Sequence, residues 1–286
     1  MSSSPARVPT TLSPSRAADF KTCPLLYRFR AIDRLPEPTT PAMMKGTLVH
    51  AVLERLYDLA AAERTPGRAV SLLAPEWERL RRQRPEAAEL FGEDGGDTQR
   101  EWLADARALV ESYFTVEDPT RLAPSERECL VEATLADGVR MRGFIDRLDV
   151  APTGEVRVVD YKTGKTPAVA FQGQALFQLK FYALALWRTR GVVPRILRLL
   201  YLKDGQVVDY APTESELLGV ERTVSALWQA ISRAVATGEF PSKKGPLCGW
   251  CAYKDRCPEF GGTPPPYPLP LQLPGLIPEA DPTPAG

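Results

Sequence analysis

The chain has 286 residues, the length of one or two domains, and its 44% hydrophobic and 25% charged residues are ordinary for a globular protein. Lysine plus arginine equals aspartate plus glutamate, at 36 each, so no overall basic charge indicates nucleic-acid binding, which would need local basic patches. Because the sequence has no membrane-spanning apolar run and no apolar core of a signal peptide, we expect a cytoplasmic protein without a membrane partner, whose cysteines stay reduced.

The chain is predicted to consist of a disordered leader (residues 1–11), a folded domain (residues 12–260) and a disordered tail (residues 261–286). The tail is assigned by its many prolines, which favour an extended solvated chain over a packed core. The folded domain is expected to begin with a helix, because Ser13 suits the cap position and Pro14 the first helical position.

A second helix is predicted from about Lys45 to Ala62, where apolar residues recur at helical spacing. His50, the only histidine of the chain, lies beside this apolar stripe, on the side that it shares with Glu54. A lone histidine is most often structural, so its position alone assigns no role to it.

Residues from about 63 to 120 are predicted to form a helical insertion ahead of a sheet. Its clearest helices are Pro75–Arg84 and Thr98–Phe114, and Glu93–Asp97 is predicted to be a loop. The first of these helices carries a basic cluster, which is explained equally by a nucleic-acid contact or by a solvated helix face. Its members are Arg79, Arg81, Arg82 and Arg84.

The second half of the chain alternates between strands and helices, which predicts an α/β fold with a mixed central sheet flanked by helices. The predicted strands are Glu128–Leu135, Val139–Val150, Glu155–Tyr161, Arg195–Leu202 and Gln206–Tyr210. The predicted helices are Val169–Arg188, between the third and fourth strands, and Glu214–Ala236 at the end of the sheet.

Three charged residues lie on two neighbouring strands of this sheet. Asp160 and Lys162 are two positions apart, so both point to one face of their strand and Tyr161 points to the other. Asp146 can reach the same place if the two strands pair as a hairpin. Two carboxylates and an ammonium group can hold a divalent metal and a phosphate together, although charged tips of a surface hairpin would give the same short pattern. Glu132, on the first strand, is left out of this set.

Four of the five cysteines suggest a metal centre. Cys248, Cys251 and Cys257 form a compact group near the end of the folded domain, and Cys23 lies far from them in sequence. Reduced thiolates in this number suit either a 4Fe–4S cluster or Zn²⁺, and the spacing excludes neither. Cys129, inside a predicted strand, is expected to be a small buried apolar residue.

Several stretches, taken in their order along the chain, resemble RecB-family exonucleases of the PD-(D/E)XK superfamily over most of residues 12–260. They are Leu12–Phe29, Gly46–His50, Asp146, Asp160–Lys162, Gln178–Tyr182 and the final cysteine group. The resemblance implies a restriction-endonuclease-like fold with a helical insertion. It also implies an iron–sulfur staple, as in AddB-type nuclease domains and CRISPR-associated RecB-like exonucleases, with Cys23, Cys248, Cys251 and Cys257 as its ligands.

The same resemblance implies a role for each residue of the site. The ligands of Mg²⁺ or Mn²⁺ would be His50, Asp146, Asp160 and the carbonyl of Tyr161. Lys162 would orient the attacking water or offset charge on the phosphate, and Gln178 and Tyr182 would position the nucleic-acid strand.

We therefore expect a metal-dependent DNA exonuclease that acts on single-stranded ends in repair or recombination, with a helicase or another repair protein as a partner. An alternative from a different class is a non-catalytic iron–sulfur module that binds DNA within a larger complex. A third is a scaffold stapled by zinc with no role on DNA. Metal-dependent cleavage and metal analysis distinguish these three hypotheses.

Overall fold

The computed structural model describes residues 8–92, 96–168 and 173–267, in two compact units. Most of the predicted leader, part of the loop at Glu93–Asp97, the predicted start of the helix at Val169 and most of the predicted tail lie outside the described residues. The first unit comprises Met1–Pro36, Glu132–Arg142 and Glu221–Gly286, and the second comprises Glu37–Val131 and Gly143–Val220.

A mixed sheet of five strands carries the fold, in the order β1-β2-β3-β4-β5. The strands are β1 Glu126–Thr134, β2 Arg140–Val150, β3 Val156–Lys162, β4 Ile196–Tyr201 and β5 Gln206–Tyr210. Strand β3 pairs antiparallel with β2 and parallel with β4, and β4 pairs antiparallel with β5. The predicted α/β class with a mixed sheet is therefore confirmed, and each predicted strand is present to within about two residues at its ends.

The helices in the described ranges are α1 Pro14–Thr22, α2 Pro24–Tyr27, α3 Pro41–Leu56, α4 Pro66–Ser71, α5 Leu73–Gln83, α6 Pro85–Ala88, α7 Gly96–Val116, α8 Gly173–Arg190 and α9 Glu214–Thr237. Helices α4 to α7 lie in the segment predicted as a helical insertion. Within the part of the chain that the structure describes, no helix has both the length and the hydropathy needed to cross a membrane.

Helix α3 is displaced toward the N-terminus from its predicted bounds of Lys45 and Ala62. The Thr40 hydroxyl accepts a hydrogen bond from the backbone N–H of Met43, at 3.2 Å, and Pro41 takes the first helical position. This is a regular N-cap, and it sets the earlier start. The helix ends at Leu56. Beyond it the backbone changes from i→i−4 to i→i−3 hydrogen bonds, the first of which runs from the Tyr57 N–H to the Glu54 carbonyl.

One apolar core of the second unit joins its helices to the inner strands. It includes buried residues of α3, α5 and α7, with the rings of Trp77 and Trp102 in contact at a centroid distance of 4.8 Å. Val159 and Tyr161 of β3 point into this core. The alternation of the strand therefore turns Asp160 toward the opposite face, where α8 packs on β3.

A buried cluster of charged and phenolic groups lies behind β3. The Arg147 guanidinium, fully buried, donates to the Glu117 carboxylate at 2.7 and 3.0 Å and to Asp149 at 3.1 Å. It also donates to the hydroxyls of three tyrosines, at 2.9 to 3.2 Å: Tyr57, Tyr113 and Tyr161. Nothing in the linear sequence indicates this cluster, because its members come from four different elements.

Replacement of Arg147 by leucine is expected to lower the free energy of unfolding by about 3–5 kcal/mol, because it leaves the buried Glu117 carboxylate without its main partner. Urea denaturation of both proteins measures the difference. Arg107→Leu is the matched control, since Arg107 pairs with Glu111 on the exposed surface of α7 and such pairs contribute about 0.3–0.5 kcal/mol. Equal losses in the two variants would contradict the prediction.

The same cluster predicts a pH dependence of stability. Burial raises the pKa of Glu117, but the hydrogen bonds and charge of Arg147 outweigh burial and hold the pKa below its ordinary value of 4.5. A carboxyl with a lowered folded-state pKa stabilises the fold above that ordinary value, and the stabilisation is lost as pH falls through the folded-state pKa. The stability advantage of the parent over Glu117→Gln should therefore be largest near neutral pH and shrink below about pH 4.5 in a series of urea titrations. An advantage that grows on acidification would contradict it.

Candidate active site

Three elements of the second unit bring polar groups to one point at the end of β3. His50 on α3 places its Nε2 atom 2.9 Å from the carbonyl oxygen of Tyr161 and its Nδ1 atom 3.5 Å from Asp146 Oδ2. The same Asp146 oxygen accepts a hydrogen bond from the backbone N–H of Tyr161, at 2.8 Å. The imidazole, the carboxylate of β2 and the backbone of β3 are thus mutually in contact.

The other face of β3 joins this point to helix α8. The Lys162 ammonium lies 2.7 Å from Asp160 Oδ2 and donates to the Gln178 side-chain carbonyl at 3.0 Å. The Gln178 amide nitrogen donates to Asp160 Oδ1 at 2.9 Å and to the Tyr182 hydroxyl at 3.0 Å. Because both ends of the Gln178 amide are engaged, this side chain holds the relative positions of Asp160 and Lys162.

Burial and neighbouring carboxylates shift the pKa values of two residues of the site. Burial raises the pKa of Asp160, and the nearby Asp146 charge adds to the rise, so that its pKa is about 6. Burial lowers the pKa of His50, but the adjacent Asp146 carboxylate outweighs burial and raises that pKa to about 9. Burial together with neighbouring carboxylates makes this an environment that a bound divalent ion would stabilise.

Glu128 contributes a further carboxylate to the site, and the sequence did not predict it there. A carboxylate oxygen of Glu128, one of Asp146 and a ring nitrogen of His50 all lie within 4.8 Å of one another. Partial burial and the Asp146 charge raise the pKa of Glu128 to about 7. Glu132, the glutamate considered from sequence, instead lies 3.6 Å from Arg142, with both side chains about half exposed.

The backbone conformation of Glu128 explains why the sequence does not predict its place in the site. Its φ is +45°, a conformation that residues other than glycine adopt rarely, and it lies near the start of β1. In sequence Glu128 is an ordinary strand-edge glutamate, and no residue type around it predicts a positive φ. Side-chain direction at such a position is set by the local departure from regular strand geometry, which only the folded structure shows.

The donor atoms present fit Mg²⁺ or Mn²⁺. His50 offers a ring nitrogen, and Asp146, Glu128 and the Tyr161 carbonyl offer oxygens close to it, the donor type that these hard cations prefer. Buried Asp160 Oδ2 contacts the Lys162 ammonium but accepts no well-oriented hydrogen bond among the described residues, so a lone pair remains for a cation. Oxygen donors suit both ions, and an imidazole donor favours Mn²⁺.

The family follows from comparison with known proteins. A model of the PD-(D/E)XK nuclease superfamily matches residues 11–258, which include every residue of this site. The chain belongs to the PD-(D/E)XK nuclease superfamily. The mixed sheet, with Asp146 on β2 and the Asp160–Lys162 pair on β3, is consistent with the restriction-endonuclease-like fold of that superfamily.

Two curated relatives are phage proteins. The "Gene 69 protein" of Mycobacterium phage L5 is 32% identical over 127 residues, a segment that covers 43% of this chain and 41% of that protein. The "Gene 69 protein" of Mycobacterium phage D29 is 23% identical over 284 residues, covering 87% of this chain and 96% of that protein. The match to the L5 protein thus spans less than half of its length.

A solved structure resembles this chain in fold. It is the crystal structure of a protein named "Putative exonuclease" from Eubacterium rectale, which matches with a TM-score of 0.57 and 15% sequence identity. The match covers 85% of this chain and 87% of that one. At this identity the likeness concerns the arrangement of helices and strands.

The four cysteines of the predicted staple lie together in the first unit. Cys23, Cys248, Cys251 and Cys257 line one cavity of about 290 Å³. Backbone N–H groups of Lys243 and Gly245 donate to the sulfurs of Cys23 and Cys248, at 3.4 and 3.3 Å. Such N–H···S contacts stabilise a thiolate, the form that binds metal.

Cys129 differs from these four cysteines in its surroundings. It is buried in β1, and its thiol donates to Glu126 at 2.8 Å. Burial and the Glu126 carboxylate raise the pKa of this thiol to about 11. It is therefore a small buried residue that stays protonated at neutral pH, as its place in the sequence predicted.

Proposed function

We propose that the protein is a metal-dependent DNA exonuclease that hydrolyses phosphodiesters at single-stranded ends. The observation that supports this most strongly is that His50, Asp146, Asp160 and Lys162 line one cavity, with His50 in contact with Asp146 and the Lys162 ammonium 2.7 Å from Asp160. The proposed ligands of Mg²⁺ or Mn²⁺ are His50, Asp146, Asp160 and the Tyr161 carbonyl, and Glu128 is a further candidate because it lies within 4.8 Å of His50 and Asp146. When bound, the ion supplies Lewis acidity for the scissile phosphate and acidifies a water molecule.

Lys162 contributes fixed positive charge to the reaction. Its ammonium is held between Asp160 and Gln178, so it is already in place when charge develops on the phosphate. Preorganised charge of this kind lowers the barrier because no reorganisation is needed during the reaction. The third ammonium hydrogen remains free to orient a water or a phosphate oxygen toward the reacting centre.

Gln178 and Tyr182 hold neutral polar groups along the same face of α8. Burial raises the pKa of Tyr182, so its hydroxyl stays protonated; the residue is buried and this hydroxyl contacts the Gln178 amide, and through that contact Tyr182 would position Gln178. Asp160, Lys162 and Gln178 share a cavity of about 550 Å³ with Lys165 and Gln174. This cavity offers donors to a sugar–phosphate backbone while the carboxylates stay at its inner end.

Three finer features of the proposal rest on the resemblance of motifs. They are action on single-stranded ends, a role in repair or recombination, and association with a helicase or another repair protein. The name of the Eubacterium rectale protein supports exonuclease over endonuclease activity. The donor set argues against the alternative of a non-catalytic DNA-binding module, because such a module has no use for His50, Asp160 and Lys162 around one cavity.

We also propose a 4Fe–4S cluster on Cys23, Cys248, Cys251 and Cys257. Four thiolates at one Zn²⁺ would lie about 3.8 Å apart, since Zn–S bonds are about 2.3 Å long. The one group of three potential ligands within 4.8 Å among the described residues is His50, Glu128 and Asp146, so no three of the four thiol sulfurs lie within 4.8 Å of one another. Wider spacing around a shared cavity favours a larger inorganic core.

A cleavage assay tests the enzymatic proposal. Purified protein is given end-labelled linear single-stranded DNA, the duplex form, and circular single-stranded DNA, each with Mg²⁺, Mn²⁺ or EDTA. We expect metal-dependent degradation of the linear single strand and no cleavage of the circle. Lys162→Ala should be about 10²–10³-fold slower, the usual effect of removing one preorganised charge stabiliser. Cleavage of circles would contradict exonuclease action, and inactivity with both metals would contradict the proposed function.

A further inference from the structure

A second cavity adjoins the site on the side of helix α5. It has a volume of about 430 Å³ and shares His50 and Asp146 with the cavity that contains Lys162. Glu54 and Glu128 line it near His50. The wall formed by α5 and the residue that follows it presents three polar side chains: Arg79, Gln83 and Arg84. The metal-binding groups thus lie where the two cavities meet.

The contacts of the basic cluster on α5 differ from one arginine to another. Arg79 is engaged by Glu76, at 2.5 Å, and Arg81 by Glu78, at 3.1 Å. Arg84 lines the second cavity and makes no ion pair or side-chain hydrogen bond within the described ranges. Its position at the C-terminal end of α5 is also where a helix dipole favours a cation.

We propose that this cavity is a phosphate subsite for the DNA strand, in which the Arg84 guanidinium binds the backbone phosphate next to the scissile one. Gln83, one residue earlier, offers an amide donor to the same phosphate or its sugar. The strand then crosses the metal-binding point, with Lys165 and Gln174 on one side and Arg84 on the other. This inference rests on the proposed nuclease function and names the residues that hold the strand beyond the cleaved bond.

Phosphate binding at this subsite depends on a bound cation, because carboxylates line the cavity. Glu54, Glu128 and Asp146 face the same space, and without a cation near His50 they repel a phosphate. Among the described residues that line this cavity, Arg84 is the arginine without an ion pair, since Arg79 is engaged by Glu76. Loss of the Arg84 charge should therefore weaken DNA binding strongly and change the rate of the chemical step at Lys162 little.

Binding measurements on a cleavage-deficient protein isolate the subsite from catalysis. In the Lys162→Ala background, a fluorescent single-stranded oligonucleotide is titrated by anisotropy in Mg²⁺ at several salt concentrations. Adding Arg84→Ala should weaken Kd about tenfold and reduce the slope of log Kd against log salt by about 0.7, the value for one lost phosphate contact on a single strand. Arg84→Lys should restore the slope, because it keeps the charge.

Arg82→Ala is the matched control, since Arg82 and Arg84 are both exposed at the end of α5 but only Arg84 lines the cavity. It should leave Kd and slope near those of the background protein. An Arg84→Ala effect no larger than that of Arg82→Ala would overturn the subsite. In the active protein, Arg84→Ala should raise KM with kcat almost unchanged; a fall in kcat alone would also overturn it. If the parent cleaves DNA and Arg84→Ala binds DNA normally, the subsite proposal fails and the nuclease proposal stands. If the parent neither binds nor cleaves DNA, both proposals fail.

Discussion

Replacing Asp160 by asparagine is expected to slow metal-dependent DNA cleavage about 10³-fold or more. Asp160 is buried, and one of its oxygens accepts a hydrogen bond from Gln178, so asparagine keeps the size of the side chain but removes its charge. The charge is what would hold a divalent ion, and such an ion supplies several kcal/mol of transition-state stabilisation. At about 1.4 kcal/mol per factor of ten, a loss of about 4 kcal/mol corresponds to about 10³ in rate.

Single-turnover cleavage of end-labelled DNA with Mn²⁺ and with Mg²⁺ measures this effect. Asp209→Asn is the control: Asp209 is an exposed aspartate of β5 that pairs with Arg198 at 2.6 Å, away from the donor set. It should cleave at the parental rate. Thermal unfolding of both variants establishes that each is folded at the assay temperature. If Asp160→Asn cleaves as fast as Asp209→Asn, Asp160 has no catalytic role and the metal assignment fails.

The second large effect is expected in the first unit, at Cys251. Cys251→Ser should abolish the iron and acid-labile sulfide of the purified protein and lower its stability by several kcal/mol, because a bound metal centre contributes its binding energy to folding. For a chain of this size each kcal/mol corresponds to about 2–4 °C, so Tm should fall by roughly 10 °C. Anaerobic purification, visible absorption and metal analysis provide the measurement.

Cys129→Ser distinguishes loss of a ligand from loss of a buried thiol. Cys129 is buried in β1 and lines no part of the cysteine cavity, so its replacement should leave iron and sulfide at the parental level. A colourless parent that holds one Zn²⁺ per chain would overturn the cluster and support a zinc staple. Equal metal loss in both variants would mean that misfolding, and not removal of a ligand, explains the result.

Local patterns in the sequence predicted the parts of the site that depend on backbone geometry alone. Asp160 and Tyr161 were assigned to opposite faces of one strand, and Tyr161 does point into the core while Asp160 contacts α8. Gln178 and Tyr182 were assigned to one helix face from their spacing, and their side chains are hydrogen-bonded at 3.0 Å. A strand repeats every two residues and a helix about every 3.6, so such relations hold whatever the chain packs against.

The sequence also contained a signal that the helix prediction did not use. Thr40–Pro41 is a regular N-cap, yet the prediction followed the apolar stripe and placed the start of α3 at Lys45. The error left His50 on the helix, so the candidate site was unaffected. The strand bounds differ less, because apolar alternation ends at turns such as Gly154, where φ is +89°.

By itself the sequence determined the class of fold, the order of the elements and which residues share a face. Only the tertiary structure decided that Glu128 reaches Asp146, that Arg147 is buried among five partners, and that Arg84 rather than Arg82 lines the cavity beside His50. These relations join residues far apart in the chain, and they depend on how α3, α5 and α7 pack on β3. Periodicity fixes the direction of a side chain within its element, whereas the distance between elements is set by close packing of a core to which many residues contribute at once.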